Sequence, residues 1–108
     1  MKGDHLGEFE ELTLLAVRAL GEKTYAVPVQ AFIEEESHRP AVMGAVYASL
    51  ERLERKGFLK SSMGEATPER GGKRKRLYAV TPLGMRSLTE ARQTREKIWR
   101  TIEEGRRS

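Results

Sequence analysis

The stretch Gly44-Ala45-Val46-Tyr47-Ala48-Ser49-Leu50-Glu51-Arg52-Leu53-Glu54-Arg55-Lys56-Gly57-Phe58-Leu59 decides the fold, because it carries a two-faced helix and the signal that stops it. At about 100° per residue, Val46, Leu50 and Leu53 fall within roughly 60° of one another, with Val42 close beside them, and this stripe faces a core. The opposite side carries Gly44, Ala45, Tyr47, Ala48 and Arg52 in its first turns. Small side chains there let backbone approach a groove, while a phenol and a guanidinium reach past it. An ordinary amphipathic helix has the same apolar stripe, so the residues C-terminal to the helix have to discriminate.

Lys56-Gly57 is a helix stop, since glycine accepts the left-handed conformation at a C-terminus and a cation suits the negative end of the helix dipole. Phe58-Leu59-Lys60-Ser61 reads as a short strand and Leu77-Tyr78-Ala79-Val80 as its return. Between them, from Met63 to Gly72, there is no apolar periodicity, only Gly64, Pro68, Gly71, Gly72 and polar residues. The connection ends in Arg70-Gly71-Gly72-Lys73-Arg74-Lys75-Arg76, five cations without an anion, enough to neutralise several phosphates and release their counterions. Helix, strand, basic loop and strand is the layout of a winged helix-turn-helix. On that reading residues 43 to 52 enter the major groove, and the DNA-facing set is Met43, Gly44, Ala45, Tyr47, Ala48, Ser49 and Arg52. The wing adds Arg70, Lys73, Arg74, Lys75 and Arg76 against the backbone or an adjacent minor groove.

These same elements, together with Leu6-Gly7-Glu8-Phe9-Glu10-Glu11-Leu12, Glu65 to Arg74 and Tyr78-Ala79-Val80-Thr81-Pro82-Leu83-Gly84, resemble the PadR family of bacterial transcriptional regulators over roughly residues 6 to 90. The resemblance implies a homodimeric DNA-binding regulator, mostly repressing, relieved by a small-molecule effector. Position 42 departs from the pattern: similar sequences often carry Ser or Thr there to cap the recognition helix, and Val42 cannot.

The chain has 108 residues, a net charge of +4 and no cysteine, which excludes a disulfide framework and thiol chemistry. The charge is unevenly spread. Residues 1–56 carry seven Lys or Arg against ten Asp or Glu, and residues 57–108 carry thirteen against six, so the positive field is localised in the second half. With 33% charged residues and short apolar runs such as Leu14-Leu15-Ala16-Val17, nothing spans a bilayer. Asp4, Glu8, Glu10 and Glu11 stand where a leader would be basic and then apolar, so a cytoplasmic location is expected. His5 and His38 lack metal-ligand spacing, no cofactor motif is present, and the only Asp is Asp4, so neither a metal site nor catalysis is expected.

Upstream, Leu6, Phe9, Leu12, Leu15, Ala16, Ala19 and Leu20 form a helical pattern closed by Gly21. A second helix follows Tyr25-Ala26 with Pro28 in its first turn, Val29, Phe32 and Ile33 inward, and Glu34, Glu35 and Glu36 outward. His38-Arg39-Pro40 is the turn before the recognition helix. Thr81-Pro82 opens a last helix that meets no breaker until Gly105. In it Leu88, Ala91, Arg95, Ile98 and Ile102 recur at coiled-coil spacing, and a helix of this length on so small a core needs a partner, most simply its symmetry mate.

Trp99, the sole tryptophan, stands beside that seam and suits two roles: an anchor of the dimer interface, or, as the resemblance suggests, one wall of a slot for a flat aromatic or apolar effector. The expected fold class is mainly α with a small β-hairpin, residues 1–81 forming the winged helix-turn-helix and 82–108 a C-terminal dimerisation helix. The partner is double-stranded operator DNA. A basic hairpin also suits a non-catalytic module for RNA or an acidic protein, which is the alternative.

Overall fold

The computed structural model describes residues 6–65 and 74–105. Within them the order is α1 (Glu8–Ala19), α2 (Ala26–Ser37), α3 (Met43–Arg55), β1 (Leu59–Met63), β2 (Arg76–Val80) and α4 (Pro82–Glu103). Local chemistry sets each boundary. Glu8, Glu10 and Glu11 occupy the first turn of α1, where the partial positive charge of the helix start favours carboxylates. Beyond its end Gly21 takes φ 124°, a conformation that side chains disfavour. α2 closes on His38 at φ 58°, whose N–H donates to the Glu34 carbonyl at 2.9 Å.

The turn into α3 is pinned by two α2 side chains. Ala41 N–H donates to Glu34 Oε2 at 2.9 Å, and Gln30 Nε2 donates to the Ala41 carbonyl at 2.7 Å. Glu34 therefore holds the turn rather than being a purely solvated acid. Val42, expected near the core stripe, is the extended residue before α3 and is exposed, because its backbone has left the helical region that the spacing assumed. β1 and β2 pair antiparallel from Leu59↔Val80 to Met63↔Arg76. Thr24 adds a single bridge to Tyr78 through two backbone hydrogen bonds of 3.0 and 2.7 Å.

Leu14, Val17, Val29, Ile33, Val46, Leu50, Leu53, Phe58, Leu59 and Tyr78 fill the core. The stripe Val46, Leu50 and Leu53 is fully buried. On α1 the inward face differs from the expected one: Glu10, Thr13, Leu14, Ala16 and Val17 are buried, while Ala19 is exposed and Leu15 is 44% exposed. α1 is apolar on two sides, so spacing alone does not select between them. α3 selects the side bearing Glu10 and Thr13 by offering polar partners.

β2 runs into α4 with one intervening residue, Thr81. Its Oγ1 accepts from Gly84 N–H at 3.0 Å and donates to the Gly57 carbonyl at 2.7 Å, while its N–H donates to the Phe58 carbonyl at 3.0 Å. Gly84 lies so close to Phe58 and to Val80 of β2 that an added Cβ would clash with the Phe58 carbonyl oxygen and meet Val80 Cγ1 at 2.9 Å. Only Gly84 and Leu88 of α4's 22 residues are buried. The helix is about 33 Å long at 1.5 Å per residue, and none of the residues in its far half is buried.

Two glycine substitutions should move stability in opposite directions. Gly84→Ala forces backbone apart and is expected to cost about 1–3 kcal/mol. Gly44→Ala, at a helical position with nothing within 4 Å of the added carbon, should stabilise by about 0.5–1 kcal/mol. Urea unfolding followed by circular dichroism measures both.

Candidate nucleic-acid interface

α3 presents a definite outer surface. With Val46, Leu50 and Leu53 inward, the opposite side consists of Gly44, Ala48, Glu51 and Arg55, flanked by Tyr47 on one side and by Ala45 and Arg52 on the other. Gly44 is exposed, Ala45 and Ala48 are half-buried, and Tyr47 is 52% exposed. Met43 is half-buried and packs against the core. No side chain caps the start of α3, since Val42 carries no acceptor, which leaves its first N–H groups for water or an anion. Arg55 joins this surface without having been expected there. It lies about 20° from Ala48 on the wheel and is exposed, and that spacing was the available signal.

Ser49 is a correction. It is fully buried, and its Oγ donates to Thr13 Oγ1 at 2.9 Å, which in turn donates to the Phe9 carbonyl at 2.8 Å. It faces α1 and cannot contact DNA. Arg52 is also drawn toward α1: its Nε donates to Glu10 Oε2 at 2.9 Å, although the side chain stays 44% exposed. Lys56 Nζ reaches Glu10 Oε1 at 2.8 Å, and Gly7 N–H donates to the same oxygen at 3.0 Å. Burial works to raise the Glu10 carboxyl, but the Lys56 ammonium, the Gly7 N–H and the Arg52 guanidinium overcome it and hold the group at about 2 against an ordinary 4.5.

At the wing, Arg70 and Lys73 lie outside the described residues. Arg74 and Arg76 are exposed. Arg74 Nε donates to the Gly64 carbonyl at 2.8 Å, extending the ladder at the loop end of the hairpin, just past the Met63↔Arg76 pair. Arg76 Nη1 donates to Ser61 Oγ at 3.0 Å, and Ser61 Oγ donates to Glu54 Oε2 of α3 at 2.6 Å, so the cationic strand is tied to α3. Lys75 is half-buried with its Nζ over the Tyr25 ring, 4.6 Å from the centroid.

Along α4, Leu88 is a second correction: it belongs to its own chain's core and is not free to form a seam. Ala91 is half-buried. Arg95 pairs with Glu11 of α1 at 3.0 Å. Ile98, Ile102 and Trp99, the last 59% exposed, lie outside the core of the described residues. Between α1 and α4 an open groove of about 450 Å³ is lined by Leu15, Ala19, Met85, Leu88 and the stems of flanking charged residues. Among the described residues there is no cluster of metal-ligating side chains and no helix long and apolar enough to cross a membrane.

A helical triad, a two-stranded hairpin and a long following helix define a winged helix-turn-helix protein, and solved structures share the arrangement. A PadR-like transcription factor from Bacteroides fragilis superposes with a TM-score of 0.74 at 23% identity, over 89% of this chain and 87% of that one. A PadR family transcription regulator from Clostridium difficile R20291 gives 0.71 at 21% identity, over 91% and 97%. PadR of Bacillus subtilis, solved in complex with operator DNA, gives 0.66 at 18% identity, over 77% of this chain and 45% of that one. No curated protein matches the sequence. The model of the PadR-like transcriptional regulators matches residues 14–90, and the chain belongs to that family. It is a transcriptional regulator rather than an enzyme.

The Glu10 cluster makes stability depend on acid. A carboxyl depressed in the folded state contributes stability that is present above its unfolded value and lost as pH falls through its folded one. The wild type should therefore lose stability between about pH 4.5 and about pH 2. Glu10→Gln should be less stable at neutral pH and show a flatter decline across that window in urea melts.

Proposed function

We propose that the chain is a cytoplasmic homodimeric repressor that binds operator DNA through α3 and the wing and releases it when a small aromatic or apolar effector binds. The outer face of α3 carries this reading: small residues let the helix backbone approach base edges, Tyr47 reaches a phosphate, and the Ala45 and Ala48 methyls suit a thymine methyl. The operator complex of Bacillus subtilis PadR, a protein with this fold, supports the same partner here. The wing cations Arg70, Lys73, Arg74 and Arg76 supply sequence-independent affinity. Residues 1–81 then form the reading unit and 82–108, which begins with α4, the dimerisation segment.

Dimerisation is supported by the exposed Ile98, Trp99 and Ile102, over which none of the described residues forms a core. Ala91 and Arg95 lie at the near end of that surface. Two copies of Trp99 facing each other across the two-fold, about one turn beyond the Arg95 and Glu96 end of the α1–α4 groove, would give a flat ligand its walls. Repression follows from occupancy, since a dimer seated on two half-sites covers promoter DNA.

Gly44→Glu sets a carboxylate on the groove face where no neighbour crowds it, so it should abolish binding to a duplex enriched from a random library while leaving the melting temperature nearly unchanged. Arg74→Ala with Arg76→Ala should weaken binding to all sequences and flatten the log–log salt dependence by roughly 0.9 per lost contact. Full binding by the first variant, or an unchanged slope in the second, would remove the respective assignment.

Ile98→Asp with Ile102→Asp strands charge on the uncovered face. The double variant should sediment as a monomer and lose tight operator binding, because half-sites about one helical turn apart need two linked readers.

A further inference from the structure

We propose that Glu10 is a positioning residue for DNA binding, which holds Arg52 by its Nε so that the remaining edge of the guanidinium clamps a phosphate; this rests on the reading of α3 as the DNA-facing helix. Glu10 lies on α1, far from the outer face of α3, and is only 7% exposed. Its two oxygens are engaged by donors from two elements: Oε2 by Arg52 Nε at 2.9 Å, and Oε1 by Lys56 Nζ at 2.8 Å and Gly7 N–H at 3.0 Å.

Arg52 commits one of its five N–H donors to this contact. Among the described residues neither of its Nη groups has a partner, and the side chain is 44% exposed. It lies about 20° from Ala45 and about 40° from Ala48 on the helical wheel, at the flank of the DNA-facing surface. The guanidinium is planar, so fixing Nε fixes the plane in which the four Nη hydrogens lie, and that fork matches two phosphate oxygens. An unrestrained arginine would have to surrender its rotamer freedom on binding; here the carboxylate has already taken it.

Charge balance decides whether such a held arginine still attracts a phosphate. Glu10 and Arg52 alone would be neutral. Lys56 on the same carboxylate leaves the trio at a net +1, so the field toward DNA survives the pairing. The buried Thr13–Ser49 hydrogen bond lies about one turn further along both helices and keeps α1 and α3 in register, so the carboxylate meets the arginine at a fixed place.

The test is a double-mutant cycle on the full-length protein with Glu10→Gln, Arg52→Ala and the pair. The probes are a duplex enriched by the wild type from a random library and a scrambled duplex of equal length, with folded fraction checked by circular dichroism at the assay temperature. The proposal expects Glu10→Gln to lose about tenfold on both duplexes, with the log–log salt dependence flatter by roughly 0.9, and almost nothing further once Arg52 is Ala. Losses that multiply in the pair, or a salt slope unchanged in Glu10→Gln, would show a merely structural role and overturn it.

Should Glu10→Gln not fold, Arg52→Lys decides the matter. It keeps the cation and its pairing with Glu10 but lacks the fork, and wild-type affinity in that variant overturns the proposal. Gly44→Glu separates the two levels: loss of binding there with a multiplicative cycle leaves α3 as the reader and removes only the role of Glu10, while normal binding there removes both.

Discussion

The seam between α1 and α3 orients α3, the helix proposed to read DNA, and it holds Glu10, Thr13 and Ser49, three of the four buried polar residues among those described. Thr13 and Ser49 are fully buried, Ser49 donating to Thr13 and Thr13 to the Phe9 carbonyl, and Glu10 is shared between Arg52 of α3 and Lys56 at its C-terminal cap. An apolar contact permits a helix to slide or rotate by small amounts at little cost, whereas a buried hydroxyl or carboxylate loses its partner when it moves. α3 is therefore fixed about its own axis. Its outer face is defined by that constraint, because the apolar stripe of Val46, Leu50 and Leu53 alone would tolerate a rotation of several tens of degrees.

Much of the architecture was legible because local signals agreed with one another. The stripe on α3, the stop at Lys56-Gly57, the two short strands and the Thr81-Pro82 helix start each have a local physical cause, and each appears near its expected position. What was hidden depended on contacts distant in sequence. Ser49 reads as a small outward polar residue until Thr13, 36 positions away, gives its hydroxyl a partner. The inward face of α1 is concealed for the same reason, since a glutamate and a threonine look like surface residues unless the helix opposite supplies cations and a hydroxyl. The Thr24 bridge to Tyr78 is one residue pair and has no periodicity to detect.

α4 shows a different limit of sequence reading. Coiled-coil spacing joins Leu88 to Ile98 and Ile102 as though one surface held them, but Leu88 closes the core of its own domain and the isoleucines lie beyond it. Period records that a residue is apolar on a given side; it does not record where along a rod one partner stops and another begins. The adjacent glutamates of α1 mark that handover. Glu10 faces α3, while Glu11 holds Arg95 of α4 at 3.0 Å, so the first helix touches both the surface proposed to read DNA and the helix proposed to join two copies.

The join between β2 and α4 leaves no slack. One residue separates strand from helix, its hydroxyl and N–H are bonded back to Gly57 and Phe58, and Gly84 is seated against the same strand. A molecule built this way behaves like a caliper whose arms are welded to their handles. In the proposed dimer, the distance between the two reading helices is set by where one handle crosses the other, and sliding that crossing by a single helical turn would alter it on the scale of about 5.4 Å. Operator spacing would then be encoded far from any base pair, in the side chains that decide how two long helices mesh.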